Sequence, residues 1–255
     1  MKRTAQGGYS ASSGPLGPLD RLLADRPDYV LMGPYLLYLG LLALLQFRES
    51  IGEEWVWVLH VVRGAVTLAV VWAIRKHFPP WGKAHVLLAL VAGVACAALW
   101  VGGQHLFDSL GVPRRIPLPL FPGEPDPPEK INPFNTLGDG WVVWATIVSR
   151  IATACTAVPI VEELFWRSFL LRAMIDWHSF EKVPLGKFTW LSFLGTSLIS
   201  TIQHPDNWLV SIFCWFAFNG LMYWKKSVLF LVFVHGFTNL VLYIYVVWRG
   251  DWIFW

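Results

Sequence analysis

A chain of 255 residues with 55% apolar side chains, 16 tryptophans and a mean hydropathy of +0.50 is too apolar and too poor in charge for an ordinary water-soluble domain. The formal net charge is only +3, and the basic residues sit beside apolar runs (Arg21/Arg26, Arg75/Lys76/Lys83, Lys225/Lys226) rather than along one face, which argues against a nucleic-acid partner. The partner these numbers imply is a lipid bilayer.

Residues 1–27 form a polar tail without the apolar stretch of a cleavable signal, and residues 28–255 read as a single transmembrane domain. Windows of about 20 residues, the length that crosses a hydrocarbon core roughly 30 Å thick, give spans from Asp28 to Phe47, Trp55 to His77 and Lys83 to His105. A loop rich in proline follows over 106–139, where Pro113, Pro117, Pro119, Pro122, Pro125, Pro127, Pro128 and Pro133 exclude a helix interior. Five more spans complete the chain: Gly140 to Val158, Ile160 to His178, Thr189 to Gln203, Trp208 to Tyr223 and Ser227 to Trp248. The fold class is all-α, a polytopic bundle of about eight transmembrane helices. The fifth span carries Glu162, Glu163, Arg167 and Arg172, and reads also as a broken or partly submerged helix. Cys96, Cys155 and Cys214 lie far apart inside spans with no CxxC spacing, and read as small core residues. The basic tail and the basic gap at Arg75 to Lys83 place the N-terminus in the cytoplasm. Eight crossings then put Lys225 and Lys226 outside, against the same rule.

An ionisable side chain within a span costs about 2.5–3.5 kcal/mol on insertion scales, so a group of them marks a candidate functional site. Glu163 and Arg167 are i and i+4 and can neutralise each other on one helix face. Glu162, rotated about 100° from Glu163, lacks that partner and is free to serve as a base within the bundle. His204 precedes Pro205, while His235 and Asn239, again i and i+4, project from one face of the last span. The start of the fifth span and the end of the sixth share a membrane face, so these groups can converge. They would converge near the opposite surface if the fourth and fifth segments made one crossing. A glutamate beside two histidines and an asparagine can activate water and stabilise an oxyanion, or hold a metal. Water-driven peptide cleavage inside a membrane needs such a set.

The element Glu162-Glu163-x-x-x-Arg167, the membrane histidine His204 and the pair His235-x-x-x-Asn239 resemble the three motifs of the CAAX-processing and bacteriocin-processing (CPBP) intramembrane proteases. The likeness covers roughly Thr153 to Leu242, and the EELFWRSFLLR run looks like bacterial relatives linked to C-terminal protein-sorting systems. The resemblance implies an eight-helix bundle around a membrane cavity. It implies Glu162 as the water-activating residue, His204 and His235 as catalytic or metal-binding, Asn239 as oxyanion or positioning residue, and Glu163 and Arg167 as their support. In one departure, Ser200 stands four residues before His204 where the family usually has Phe. A divalent metal such as zinc on Glu162, His204 and His235, and an activated water without metal, both stay open.

The expected activity is thus an intramembrane endopeptidase of a bacterial inner membrane, cutting near the C-terminus of a peptide or protein with a membrane-associated C-terminal segment. Two other classes could use the cluster: a proton-coupled transporter with a Glu/His relay, and a non-catalytic membrane partner such as an immunity factor. No internal repeat of the kind transporters carry is present in the sequence.

Overall fold

The computed structural model describes residues 17–255, and among them no strand occurs. Most of the expected N-terminal tail lies outside the described residues. Its last part forms α1 (Gly17–Asp25), which Asp20 ties to the bundle through Lys76 at 2.6 Å and His77 at 3.3 Å. The long elements are α2 (Pro27–Leu42), α3 (Val56–Ile74), α4 (Val86–Ser109), α5 (Trp141–Cys155), α6 (Ala157–Glu163), α7 (Trp190–Gln203), α8 (Trp208–Lys225) and α9 (Val228–Arg249). Among the described residues five helical segments are long and apolar enough to cross a membrane: Pro27–Ile51, Glu53–His77, Val86–Ser109, Trp141–Ala173 and Val228–Arg249.

The fourth and fifth expected spans are one helical run of 33 residues, Trp141–Ala173. Val143 and Val246 share a core cluster, Cys155 meets Gly236, and Glu163 reaches His235, so the run passes α9 once, antiparallel to it. The merger removes one crossing from the expected eight. It also brings Lys226 to the end of the bundle that holds Lys83, where Ser227 donates to the carbonyls of Trp81 and Lys83. The conflict over Lys225 and Lys226 disappears with it.

The run bends without breaking. Pro159 has no N–H to offer the carbonyl of Cys155, and the backbone at Thr156 leaves helical geometry (φ −121°, ψ −73°). Past Glu163 the chain widens into a π-helical stretch, Leu164–Leu170, a geometry that is frequent at functional sites. In the 106–139 segment α4 runs on to Ser109, and two short turns, Pro128–Ile131 and Pro133–Leu137, each begin with proline. Proline is tolerated there because the first turn has no intrahelical acceptor for its missing N–H.

Lipid tails are as apolar as leucine, so close packing rather than transfer from water holds such a bundle together. One close seam joins α4 to α9: a Cβ on Gly93 would lie 2.6 Å from that of Phe237. Phe218, Met222, Phe230, Leu231 and Val234 pack beside this seam, with Cys96 among them. Of the other cysteines Cys214 is buried and Cys155 half-buried, and all three are free thiols.

Candidate active site

Two local features aim the motif residues inward. Gly236 lets α9 approach the kink so closely that a Cβ there would stand 2.8 Å from the carbonyl oxygen of Cys155. His235 and Asn239 are thereby pressed against the α5–α6 junction. Asn239 donates through Nδ2 to the carbonyl of Ala154 at 2.7 Å, and Nδ1 of His235 lies 2.9 Å from Oε1 of Glu163.

Glu163 and Arg167 form the expected pair at 3.2 Å, with 0% and 1% of their side chains exposed. One carboxylate oxygen therefore receives both a guanidinium and an imidazole, while among the described residues Oε2 of Glu163 and Nε and Nη2 of Arg167 find no hydrogen-bond partner. The guanidinium also lies 4.9 Å from the ring centre of Trp215 and 5.2 Å from that of Phe218, close enough for cation–π attraction. A buried charge without such neighbours would be costly, so the pair and its aromatic cage act as one unit.

Glu162 takes a different direction, as its rotation about the helix requires. Its Oε1 accepts a 2.5 Å hydrogen bond from Nε2 of Gln203, whose own Oε1 accepts from Nε1 of Trp166 at 3.0 Å. Gln203 is thus a positioning residue that sequence reasoning missed. The available signal was its place immediately before His204, at the end of a helix whose buried residues are all serines and threonines. His204 makes no side-chain hydrogen bond among the described residues, and is instead held edge-on by Trp100 at 5.1 Å and Trp215 at 5.6 Å.

Glu162, His204, His235 and Asn239 all line one cavity of about 340 Å³. Glu163 and Arg167 sit behind this wall. Ser200, at the position of the motif departure, is fully buried and donates to the carbonyl of Ser197, which makes it a packing residue. The cavity wall also contains Tyr38, His60, Arg63 and Arg150, none of which the motifs pointed to. Among the described residues Arg63 forms no ion pair; it packs on Tyr38 and His60.

A zinc-like ion on Glu162, His204 and His235 needs its donors within about 2 Å of one point. Among the described residues no group of three His, Cys, Asp or Glu side chains stands at such spacing, so the residues do not fit that ion. What the cavity does assemble is a carboxylate held by an amide, an imidazole oriented by a second carboxylate, and an asparagine amide beside it.

Residues 141–241 match the family described as Type II CAAX prenyl endopeptidase Rce1-like, which covers every motif residue named above. No curated protein and no solved structure matches the chain.

Proposed function

We propose that this chain, which over residues 141–241 is similar to the Rce1-like CAAX endopeptidases, is a membrane peptidase in which Glu162 activates the water that cleaves the substrate. The observation that carries this reading is the shared cavity: four motif residues spread over the sequence from Glu162 to Asn239 face the same 340 Å³ space.

The free Oε2 of Glu162 takes a proton from a water in the cavity, while Gln203 holds the other oxygen. The water attacks the scissile carbonyl. Attack turns the carbonyl oxygen into an oxyanion; Glu163 engages Nδ1 of His235 and so fixes that ring in the cavity wall, and the proton that Glu162 took from the water passes to the leaving amine as the tetrahedral intermediate collapses. Asn239 spends one amide hydrogen on Ala154 and has a second for the same oxyanion. His204, unbonded between two indoles, supplies a further polar contact to water or substrate.

The substrate in this reading is a peptide or protein with a membrane-associated C-terminal segment. The likeness of the Glu162–Arg172 run to bacterial sorting-associated relatives supports a bacterial inner membrane. The gathering of Arg26, Lys76, Lys83 and Lys226 at one end of the bundle supports a cytoplasmic N-terminal side.

Membrane-anchored peptides in proteoliposomes, followed by mass spectrometry, test the assignment. Glu162→Ala and His235→Ala are expected to abolish cleavage while the protein still inserts and folds. Undiminished cleavage by either purified variant refutes the mechanism.

A further inference from the structure

Past α9 the chain turns back and closes part of the cavity that holds Glu162. Gly250 takes the left-handed conformation (φ 69°, ψ 24°) that reverses the chain, and Ile253, Phe254 and Trp255 then line the cavity wall. The ring of Trp255 meets Tyr243 edge-on at 5.4 Å and the Arg150 guanidinium at 4.5 Å. Tyr243 lies four residues after Asn239, and Arg150 four before Ala154, whose carbonyl Asn239 engages. Trp255 therefore stands one helical turn, about 6 Å, from the level of Asn239. The strap is fastened unevenly. At its base Asp251 accepts from Tyr245 at 2.9 Å and lies 2.8 Å from Nε2 of His105, and Trp252 packs on Phe134 at 5.8 Å. Beyond Trp252, Phe254 meets His105 edge-on at 5.5 Å, and among the described residues one side-chain hydrogen bond ties the strap to the bundle, from Nη2 of Arg114 to the carbonyl of Ile253 at 3.1 Å. Next to Arg114, Arg115 grips Asp206 at 2.5 and 3.0 Å and the Ile116 N–H donates to the carbonyl of Pro205 at 2.8 Å. The segment that holds the strap thus also holds the turn that follows His204.

We propose that Ile253, Phe254 and Trp255 form a gate that hinges on the anchored pair Asp251–Trp252 to admit substrate, with Arg114 as its latch, a proposal that rests on the protease reading of the cavity. The volume supports it. About 340 Å³ is at the small end of the range that holds one drug-sized molecule, whereas a peptide runs on from both sides of the bond being cut. An extended chain rises about 3.3 Å per residue, so one passing Asn239 towards Trp255 meets the indole after roughly two residues. Moving that ring opens the path, as lids do in other enzymes. A single hydrogen bond is a modest barrier to such a motion, and an indole suits a membrane interface as well as a cavity wall. The base of the strap keeps its own contacts throughout.

Two native thiols report the motion without any need for turnover. Cys214 lines the cavity, whereas Cys96 is buried beside the α4–α9 seam and does not. The full chain in detergent is treated with methyl methanethiosulfonate, and modification of each cysteine is followed by mass spectrometry of its peptide. Arg114→Leu removes the latch and leaves every side chain of the gate in place; Trp255→Ala shortens the gate itself. Both variants are expected to label Cys214 roughly tenfold faster than wild type, about what one hydrogen bond to a charged group is worth, with Cys96 unchanged. A Cys214 rate in Arg114→Leu equal to that of the wild type overturns the proposal. So does a rise that Cys96 shares, because that reports a loosened bundle and not an opened mouth.

Cleavage of membrane-anchored peptides of random sequence supplies the second arm. In Arg114→Leu kcat/KM is expected to rise by a similar factor, roughly tenfold, and to rise more for peptides rich in Trp and Phe than for peptides of Gly and Ala. A residue that only held the fold together would lower kcat/KM when removed, so a measured value that falls or stays the same overturns the proposal. Latch-dependent labelling of Cys214 in a protein that cleaves no peptide refutes the protease reading alone.

Discussion

Gln203→Leu isolates the positioning of the general base from its chemistry. Leucine fills a similar volume, so little cavity is left, but it removes the 2.5 Å donor to Glu162 and the 3.0 Å acceptor for Trp166. A hydrogen bond to a charged group contributes about 1.5–3 kcal/mol, and a buried N–H left unpaired costs about 1–3 kcal/mol. The Trp166 loss falls on stability. The Glu162 loss falls on the reaction, because a carboxylate free to move by about 1 Å can lose as much as a hundredfold in rate. We therefore expect kcat to fall roughly ten- to a hundredfold with KM nearly unchanged, alongside destabilisation of about 1–3 kcal/mol. Trp166→Phe separates the two effects: it removes the indole donor, leaves Gln203 on Glu162, and should reproduce the loss of stability with little loss of kcat. The assay is cleavage of membrane-anchored peptides with kcat and KM resolved, paired with thermal unfolding in detergent. Wild-type kcat in Gln203→Leu, or an equal drop in Trp166→Phe, refutes the positioning argument.

Glu163→Gln strips the 1%-exposed Arg167 of its counter-charge and should destabilise the protein by about 3–5 kcal/mol, read as a lowered unfolding midpoint. Adding Arg167→Met should restore much of the stability but not the activity, because Nδ1 of His235 still lacks its carboxylate; restored cleavage would count against that role. Lys76 and then His77 hold the Asp20 carboxyl below its ordinary value of 3.8. The tether of α1 is therefore complete above that value and is lost as the pH falls through the lower, folded value. Proteolysis of residues 17–25 should rise below about pH 4, and Asp20→Asn should show the same rise already at neutral pH; a flat profile in the wild type contradicts the tether. Reporter fusions after Lys83 and Lys226 should report the same membrane side and a fusion at Asp139 the other. Opposite sides for the two lysines would restore separate fourth and fifth crossings.

The sequence alone established a helical membrane protein and its motif residues, because both signals are local. Long apolar runs cannot satisfy their backbone in lipid except as helices, and charges such as Glu162, Glu163 and Arg167 stand out against those runs without any knowledge of packing. The i, i+4 pair Glu163–Arg167 followed from helical period and is present at 3.2 Å. What the sequence left open was set by contacts between distant segments. Whether residues 141–173 cross once or twice depended on how the bend at Pro159 packs on Gly236, since a proline kink and a hairpin turn carry similar local signatures. The choice of partner for each glutamate, Gln203 for Glu162 and His235 for Glu163, depended on the rotation of three helices about one another. Arg150 was visible as a charge but had no reading until the fold placed it, with Arg63, on the wall of the same cavity as Glu162. Helical periodicity fixes which way a side chain leaves its own axis, and only the packed bundle decides what it meets there.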